Sequence, residues 1–224
     1  MTIRGSSTDA ATARGTLFLV RHGQSTWNLA GRIQGQSPAA GGLTPTGRAE
    51  AARAARHLAG HAPNARAIVS SDLLRTAETA EIVADALGLP VEFDPELREQ
   101  RLGIFEGRHL DAPASPVPGT VGEAVDRLWH DPFVRAPGGE SVAGMYQRVR
   151  GALRRIAASR PGADVIVVTH GGPVRVARLA SPPEPSREIP RTPVANASVT
   201  AWAPPSGDGG AATAYPGSPE ARAI

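Results

Sequence analysis

TLFLVRHGQSTWN (16–28) opens on a short apolar run and ends it on a cation, an imidazole and a glycine. An uncharged run bounded by polar residues reads as a strand buried on both faces. The same arrangement returns twice. AIVS (67–70) leads into Ser71-Asp72-Leu73-Leu74-Arg75-Thr76, and DVIVV (164–168) into Thr169-His170-Gly171-Gly172. VEF (91–93) and SVTAW (198–202) are further strand signals. Helical patterns lie between them. Thr44-Pro45 opens one that runs to about Leu58, with Thr as N-cap and Pro at the first helical position. A second runs from about Leu73 to Leu87 and is stopped by Gly88 and Pro90. Thr120 with Glu123 forms a capping box for a helix to about His130. Ser141 begins a long helix to about Ala158, and another follows from about Pro173. Residues 94–119, broken by Pro113, Pro116 and Pro118, read mostly as loop. Strands separated by helices predict an α/β fold with a mostly parallel sheet covered on both faces.

In open parallel sheets, ligands bind outside the carboxyl ends of the strands. His22, His170, Arg21 and Arg75 all fall at that edge. Two guanidiniums offer bidentate donors suited to a phosphoryl dianion. They also disfavour a charged imidazole nearby, which keeps His22 neutral and nucleophilic. Protonated His170 is expected to bind an equatorial oxygen of the transferring group. A leaving alkoxide needs a proton, and Glu99, in LREQRLGIFEG (97–107), follows the short third strand to the same edge. Beside a phosphate dianion it would hold a proton near neutrality. Gly23 and Gly171 after the two histidines let backbone approach a ligand closely. Arg75 opens a helix, where a positive charge opposes the dipole, so it has a role other than helix stability.

The composition narrows the alternatives. The chain has 224 residues, enough for one domain with loose ends. All 24 basic side chains are Arg. With no Lys and no Cys, almost nothing titrates between neutrality and the guanidinium range, so a pI near 10.4 is no sign of a nucleic-acid surface. The lack of Cys excludes disulfides, thiolate metal sites and cysteine-nucleophile phosphatases. LFLV (17–20) is too short for a signal-peptide core or a membrane span. The expectations are a cytoplasmic protein that binds neither nucleic acid nor membrane, with monomer and homodimer both left open. Residues 1–15 are expected to be a flexible segment, 16–203 the domain, and 204–224 a flexible Pro/Gly-rich tail. His57 and His61, at the end of an Ala-rich helix, read as structural; Arg148, Arg150, Arg154 and Arg155 read as a solvated helix face.

The motifs RHGQSTWN (21–28), GRIQG (31–35), LTPTGRAEA (43–51), SSDLLRTAETA (70–80), LREQRLGIFEG (97–107), PGGES (137–141) and THGG (169–172) occur in one order. In that order they resemble the histidine phosphatase superfamily, the phosphoglycerate-mutase-like proteins, over about residues 16–202. The resemblance implies a three-layer α/β/α sandwich and no metal or other cofactor. It implies His22 as phospho-accepting nucleophile, with Arg21, Arg75 and His170 holding the phosphoryl group and Glu99 as proton donor. Asn28, Gln34 and Gly35 would add polar contacts, and Ser25 and Gly171 stand with them as candidate substrate-binding residues. Phe105 occupies a place where broad phosphatases of the family often carry Trp, and SPAAGGL (37–43) replaces an Asp-x-Pro-Leu stretch.

Three activities suit these residues: a phosphatase for a small phosphorylated metabolite, a cofactor-dependent mutase, and a phosphatase for phosphoprotein or phosphohistidine. Mutases similar to this chain carry a long insertion after the acid and read HGN, where this chain has a short stretch to Thr120 and THGG. Both differences favour the phosphatase. Specificity is expected to rest on residues 101–135.

Overall fold

The structure is a computed structural model that describes residues 15–180, 182–184, 187–203 and 212–214, the last as backbone only. It is an α/β fold. The six-stranded sheet has the order β3-β2-β4-β1-β5-β6, built from β1 (Leu17–Arg21), β2 (Ala65–Ser70), β3 (Val91–Phe93), β4 (Asp164–Thr169), β5 (Val199–Trp202) and β6 (Ala212–Ala214). β1, β2, β3 and β4 run parallel; β5 pairs antiparallel with β1, and β6 antiparallel with β5.

The strand period of two explains the layers. Leu17, Leu19, Val165 and Val167 face one side and pack with α4 (Val121–His130), α5 (Val142–Ser159) and α6 (Gly171–Ala177). Phe18, Val20, Ile166 and Val168 face the other and pack with α2 (Pro45–His61) and α3 (Leu74–Leu87). Apolar side chains therefore occupy successive positions of each central strand, the pattern read from the sequence. Fully burying one such Val or Leu contributes roughly 1.5–3 kcal/mol, so the two faces together outweigh any single polar contact.

Local chemistry sets the element ends. Thr44 Oγ1 accepts from Gly47 N at 3.0 Å and Pro45 starts α2. Thr120 and Glu123 make the reciprocal cap of α4. Ser141 Oγ accepts from Gly144 N at 3.1 Å to start α5. α3 stops at Gly88, which takes the left-handed conformation (φ 66°). The start of α2 presses on the loop after β1: a Cβ on Gly23 would stand 2.3 Å from the Gly47 carbonyl oxygen.

Several expectations need correction. A one-turn helix, α1 (Thr26–Leu29), overlaps the end of the first motif. α6 begins at Gly171 rather than near Pro173, with His170 as its N-cap residue. The stretch 204–224 is not an uninterrupted tail, because residues 212–214 form β6 against β5. The rest of that stretch and residues 1–14 lie outside the described residues, as do the expectations made for them. Arg150 is buried rather than solvated: its guanidinium donates to the Ala177 carbonyl at 3.3 Å and lies 5.4 Å from the Tyr146 ring centroid. Among the described residues, no helix is long and apolar enough to cross a membrane.

Candidate active site

Register places the site. Arg21 pairs with Thr169 at the carboxyl ends of β1 and β4, so His22 and His170 leave the sheet side by side. Their ring centroids are 5.3 Å apart, edge to face. The next strand, β2, delivers Ser71 to the same edge, and α3 carries Arg75 back over it.

His22 is buried. Its Nδ1 lies 2.7 Å from the Gly23 carbonyl oxygen. A carbonyl only accepts, so the neutral ring carries its proton on Nδ1 and leaves Nε2 unprotonated, as an acceptor. Arg75 Nε donates to that Nε2 at 3.3 Å, and Arg75 Nη2 donates to the Gly35 carbonyl at 2.9 Å. Burial, then Arg75, then Arg21 hold the His22 imidazole well below its ordinary pKa of 6.5. Arg75 is itself pushed down to about 10, chiefly by burial, and still carries its charge at neutrality.

His170 is fully buried, with Nε2 2.9 Å from Ser71 Oγ. Its Nδ1 has no hydrogen-bond partner among the described residues, and neither has Arg21 Nε; the other end of Arg21 donates through Nη1 to the Val194 carbonyl. Burial, Arg75, His22 and Arg21 hold His170 well below 6.5. Guanidiniums and the lack of water thus disfavour imidazolium in the free protein, whereas protonated His170 is the form expected with the transferring group in place. A dianion placed between those guanidiniums would reverse the sign of the local field.

Glu99 lines the same cavity. Its carboxylate accepts from Gly172 N at 3.1 and 3.2 Å and from Gln100 N at 2.9 Å. A Cβ at position 172 would come within 2.1 Å of Glu99 Oε1, so glycine there is what seats the acid.

The cavity, of about 180 Å³, is lined by Arg21, His22, Arg75, Glu99, Asn28, Gln34, Gly35 and Gly171, which brings most of the expected site together. Asn28 also serves the local backbone, since its Oδ1 accepts from Ser25 N at 3.1 Å in the cap of α1. Two expected residues do not line the cavity: His170, which is fully buried beside His22, and Ser25. The Ser25 hydroxyl donates to Gln34 Oε1 at 2.8 Å and caps α1, so it supports the wall instead of touching a ligand. The basic residues of 101–135, the region expected to set specificity, do not line the cavity: Arg101, Arg108, His109, Arg127, His130 and Arg135 are absent. The 101–135 region contributes apolar groups in their place, Leu102, Leu110, Val125 and Trp129.

Sequence reasoning missed Arg32, Arg175 and Arg191, which also line the cavity. Arg175 had a signal: it lies four residues after Gly171, one helical turn on and therefore on the same face. Arg191 had none, since it comes from a loop far along the chain. Sequence reasoning also missed a support behind the acid. Arg148 donates through Nη1 to the carbonyls of Glu96 (2.7 Å) and Arg98 (3.0 Å), and through Nη2 to that of Glu99 (3.3 Å). Glu140 holds Arg148 at 2.5 Å. The expected solvated residue thus clamps the turn that carries Glu99.

A sequence model described as histidine phosphatase superfamily (branch 1) matches residues 17–212. A protein of Cronobacter sakazakii named "Probable phosphoglycerate mutase GpmB" is 39% identical over 155 residues, which is 69% of this chain and 69% of that protein. Among solved structures, Bacillus stearothermophilus YhfR is 32% identical with a TM-score of 0.75, covering 91% of this chain and 97% of its own. A mycobacterial glucosyl-3-phosphoglycerate phosphatase, solved with VO3, is 32% identical with a TM-score of 0.70 and covers 85% and 92%.

Proposed function

The chain belongs to the histidine phosphatase superfamily, and from that premise we propose that it hydrolyses a phosphate monoester of a small metabolite, without metal, through a phosphohistidine on His22. The observation that carries the reading is the fixed tautomer of His22, with Nδ1 donating to Gly23 and Nε2 offered beside Arg75.

In the first step His22 Nε2 attacks phosphorus. The P–N bond forms, the P–O ester bond breaks, and the leaving oxygen takes its proton from Glu99. Arg21 and Arg75 bear the charge of the equatorial oxygens, and His170 meets them once the dianion has raised its proton affinity. In the second step water attacks phosphorus, Glu99 takes a proton from it, and the P–N bond breaks. Inorganic phosphate leaves with His22 neutral again.

Deep burial of His22 in a small cleft, with fully buried His170 beside it, favours a small ester over a folded phosphoprotein. The names of the relatives favour a mutase as the second reading, since phosphoglycerate mutase is the name the Cronobacter relative carries. Against it, the acid turn reaches α4 with no helix between Phe105 and Thr120 to shield the phosphohistidine from water.

Phosphate release from p-nitrophenyl phosphate and a panel of metabolite monoesters, with EDTA present, separates these. Release by the wild type that is lost in His22→Ala is expected. Interconversion of 2- and 3-phosphoglycerate without net release would replace the phosphatase with the mutase.

A further inference from the structure

The cleft holds more positive charge than a phosphoryl group needs. Beyond Arg21 and Arg75, three guanidiniums reach its wall: Arg32, Arg175 from α6 and Arg191 from the loop before β5. The last two are held in place by the fold. Arg175 Nε donates to the Thr192 carbonyl at 2.7 Å, and its guanidinium lies 5.6 Å from the Trp129 ring centroid. Arg191 is tied through Nη1 to Asp126. Ordering two long side chains costs entropy, and a half-buried guanidinium is costly unless its donors are used.

Arg175 leaves donors over. A guanidinium has five N–H groups, and one carbonyl and an aromatic face occupy only part of them. No carboxylate forms a salt bridge with Arg175 among the described residues. Its Nη1 lies 3.3 Å from the point where a Cβ of residue 171 would stand, and Arg21 Nε, which has no partner among the described residues, lies 3.7 Å from the same point. The extra cation therefore sits against the phosphoryl cradle. Burial pushes Arg175 down to about 10, with Arg191, Arg21 and Arg178 adding repulsion, and Glu99 is the one carboxylate that opposes this. Trp129, Arg175 and Arg191 also line an adjoining open groove, so they stand where the alcohol half of an ester would leave the cleft.

We propose that Arg175 and Arg191 form a second anion subsite, and that the substrate is a phosphate monoester whose alcohol half carries a carboxylate or a second phosphate. This rests on the phosphatase reading above. The apolar wall of Val125, Leu110 and Trp129 would cover the carbon skeleton between the two anions. Carboxylate and phosphate share the chemistry that a guanidinium fork recognises, and the choice of esters below tells them apart.

Equilibrium binding to the His22→Ala protein, which cannot turn substrate over, tests the subsite apart from catalysis. Titration calorimetry would compare 3-phosphoglycerate and fructose 1,6-bisphosphate with glycerol 3-phosphate, whose alcohol half is neutral. At least one doubly anionic ester should bind more tightly than glycerol 3-phosphate. Arg175→Gln should weaken that ester about 10-fold or more beyond its effect on glycerol 3-phosphate, the scale of a hydrogen-bonded charge. Arg191→Gln, at an exposed position that cannot unsettle the core, should weaken it in the same sense. Equal losses on all esters would make Arg175 a third arm of the phosphoryl cradle and overturn the subsite while leaving the phosphatase reading intact. So would no loss on any ester. Failure of all three esters to bind folded protein would overturn the cradle, and the subsite with it.

Discussion

One proton position decides what His22 can do. The Gly23 carbonyl accepts from Nδ1–H, so Nε2 is the unprotonated nitrogen before any substrate arrives, the one the proposed mechanism uses. Burial and the guanidiniums of Arg75 and Arg21 then keep that nitrogen unprotonated. The sign of the pH effect follows. A His with a lowered pKa stays neutral as pH falls through ~6.5, the ordinary imidazole value. The acid limb of kcat/KM, which reports the free enzyme, should therefore lie below 6.5. Arg75→Gln removes one of the two cations and should move the limb up toward 6.5 while lowering the rate. A pH–rate profile of both proteins on p-nitrophenyl phosphate checks this. A wild-type limb centred at 6.5 or above would contradict the electrostatic account. Most of this chemistry was legible in the sequence, because each strand run ends on the residues that matter. Ser25 was misplaced for a physical reason: a hydroxyl near a helix start serves the backbone and its buried neighbour Gln34 before it serves a ligand.

The elements differ in how firmly they hold what they carry. The histidines come from adjacent parallel strands, whose ladder fixes their spacing. Glu99 comes from a turn between two short 3₁₀ segments, Pro95–Leu97 and Gly103–Phe105, with no ladder to hold it. Arg148 of α5 supplies the missing rigidity through three carbonyls, and Gln36 Nε2 adds a bond to the Glu99 carbonyl at 2.8 Å. Arg148 is thus a positioning residue for the acid. Loosening it should matter most where the leaving group needs a proton. Arg148→Ala should lower kcat on an alkyl phosphate about 10-fold more than on p-nitrophenyl phosphate, whose leaving group departs without help. Equal losses on the two esters would reduce Arg148 to a structural part of the fold. This role was hidden from sequence reading. The spacing of Arg148, Arg150, Arg154 and Arg155 resembles an exposed helix face, and only the packing of α5 beside the 95–97 turn shows which of them points inward. Helix caps, set by neighbours three residues apart, were by contrast readable at Thr44, Thr120 and Ser141.

At the scale of the whole molecule, the fold sets burial of charge against stability. Two apolar layers on a sheet support Arg21, Arg75, two buried imidazoles and the outer Arg175 around one cleft. The cost appears as proton linkage. His22 and His170 have folded pKa values below that of the unfolded chain, so the unfolded state binds more protons as pH drops under ~6.5. The stability these groups allow is fully present above that value and is lost as pH falls toward the folded values. An anion in the cleft should reverse both effects, since it neutralises the guanidiniums and favours imidazolium. Sulfate, a dianion across this range, is a suitable probe at millimolar concentration, with chloride matching the ionic strength. At about 100 times its dissociation constant it should stabilise by roughly 2.7 kcal/mol, which raises the melting temperature by about 5–10 °C for a domain of this size. The rise should be larger at about pH 5.5 than at about pH 7.5, because binding then also draws protons onto the histidines. In Arg75→Gln the rise should largely vanish at both values, which separates binding in the cleft from general exclusion of sulfate from protein surface. An equal rise in the variant would mean that the anion acts elsewhere, and that the cluster of charge in the cleft is already balanced by the protein itself.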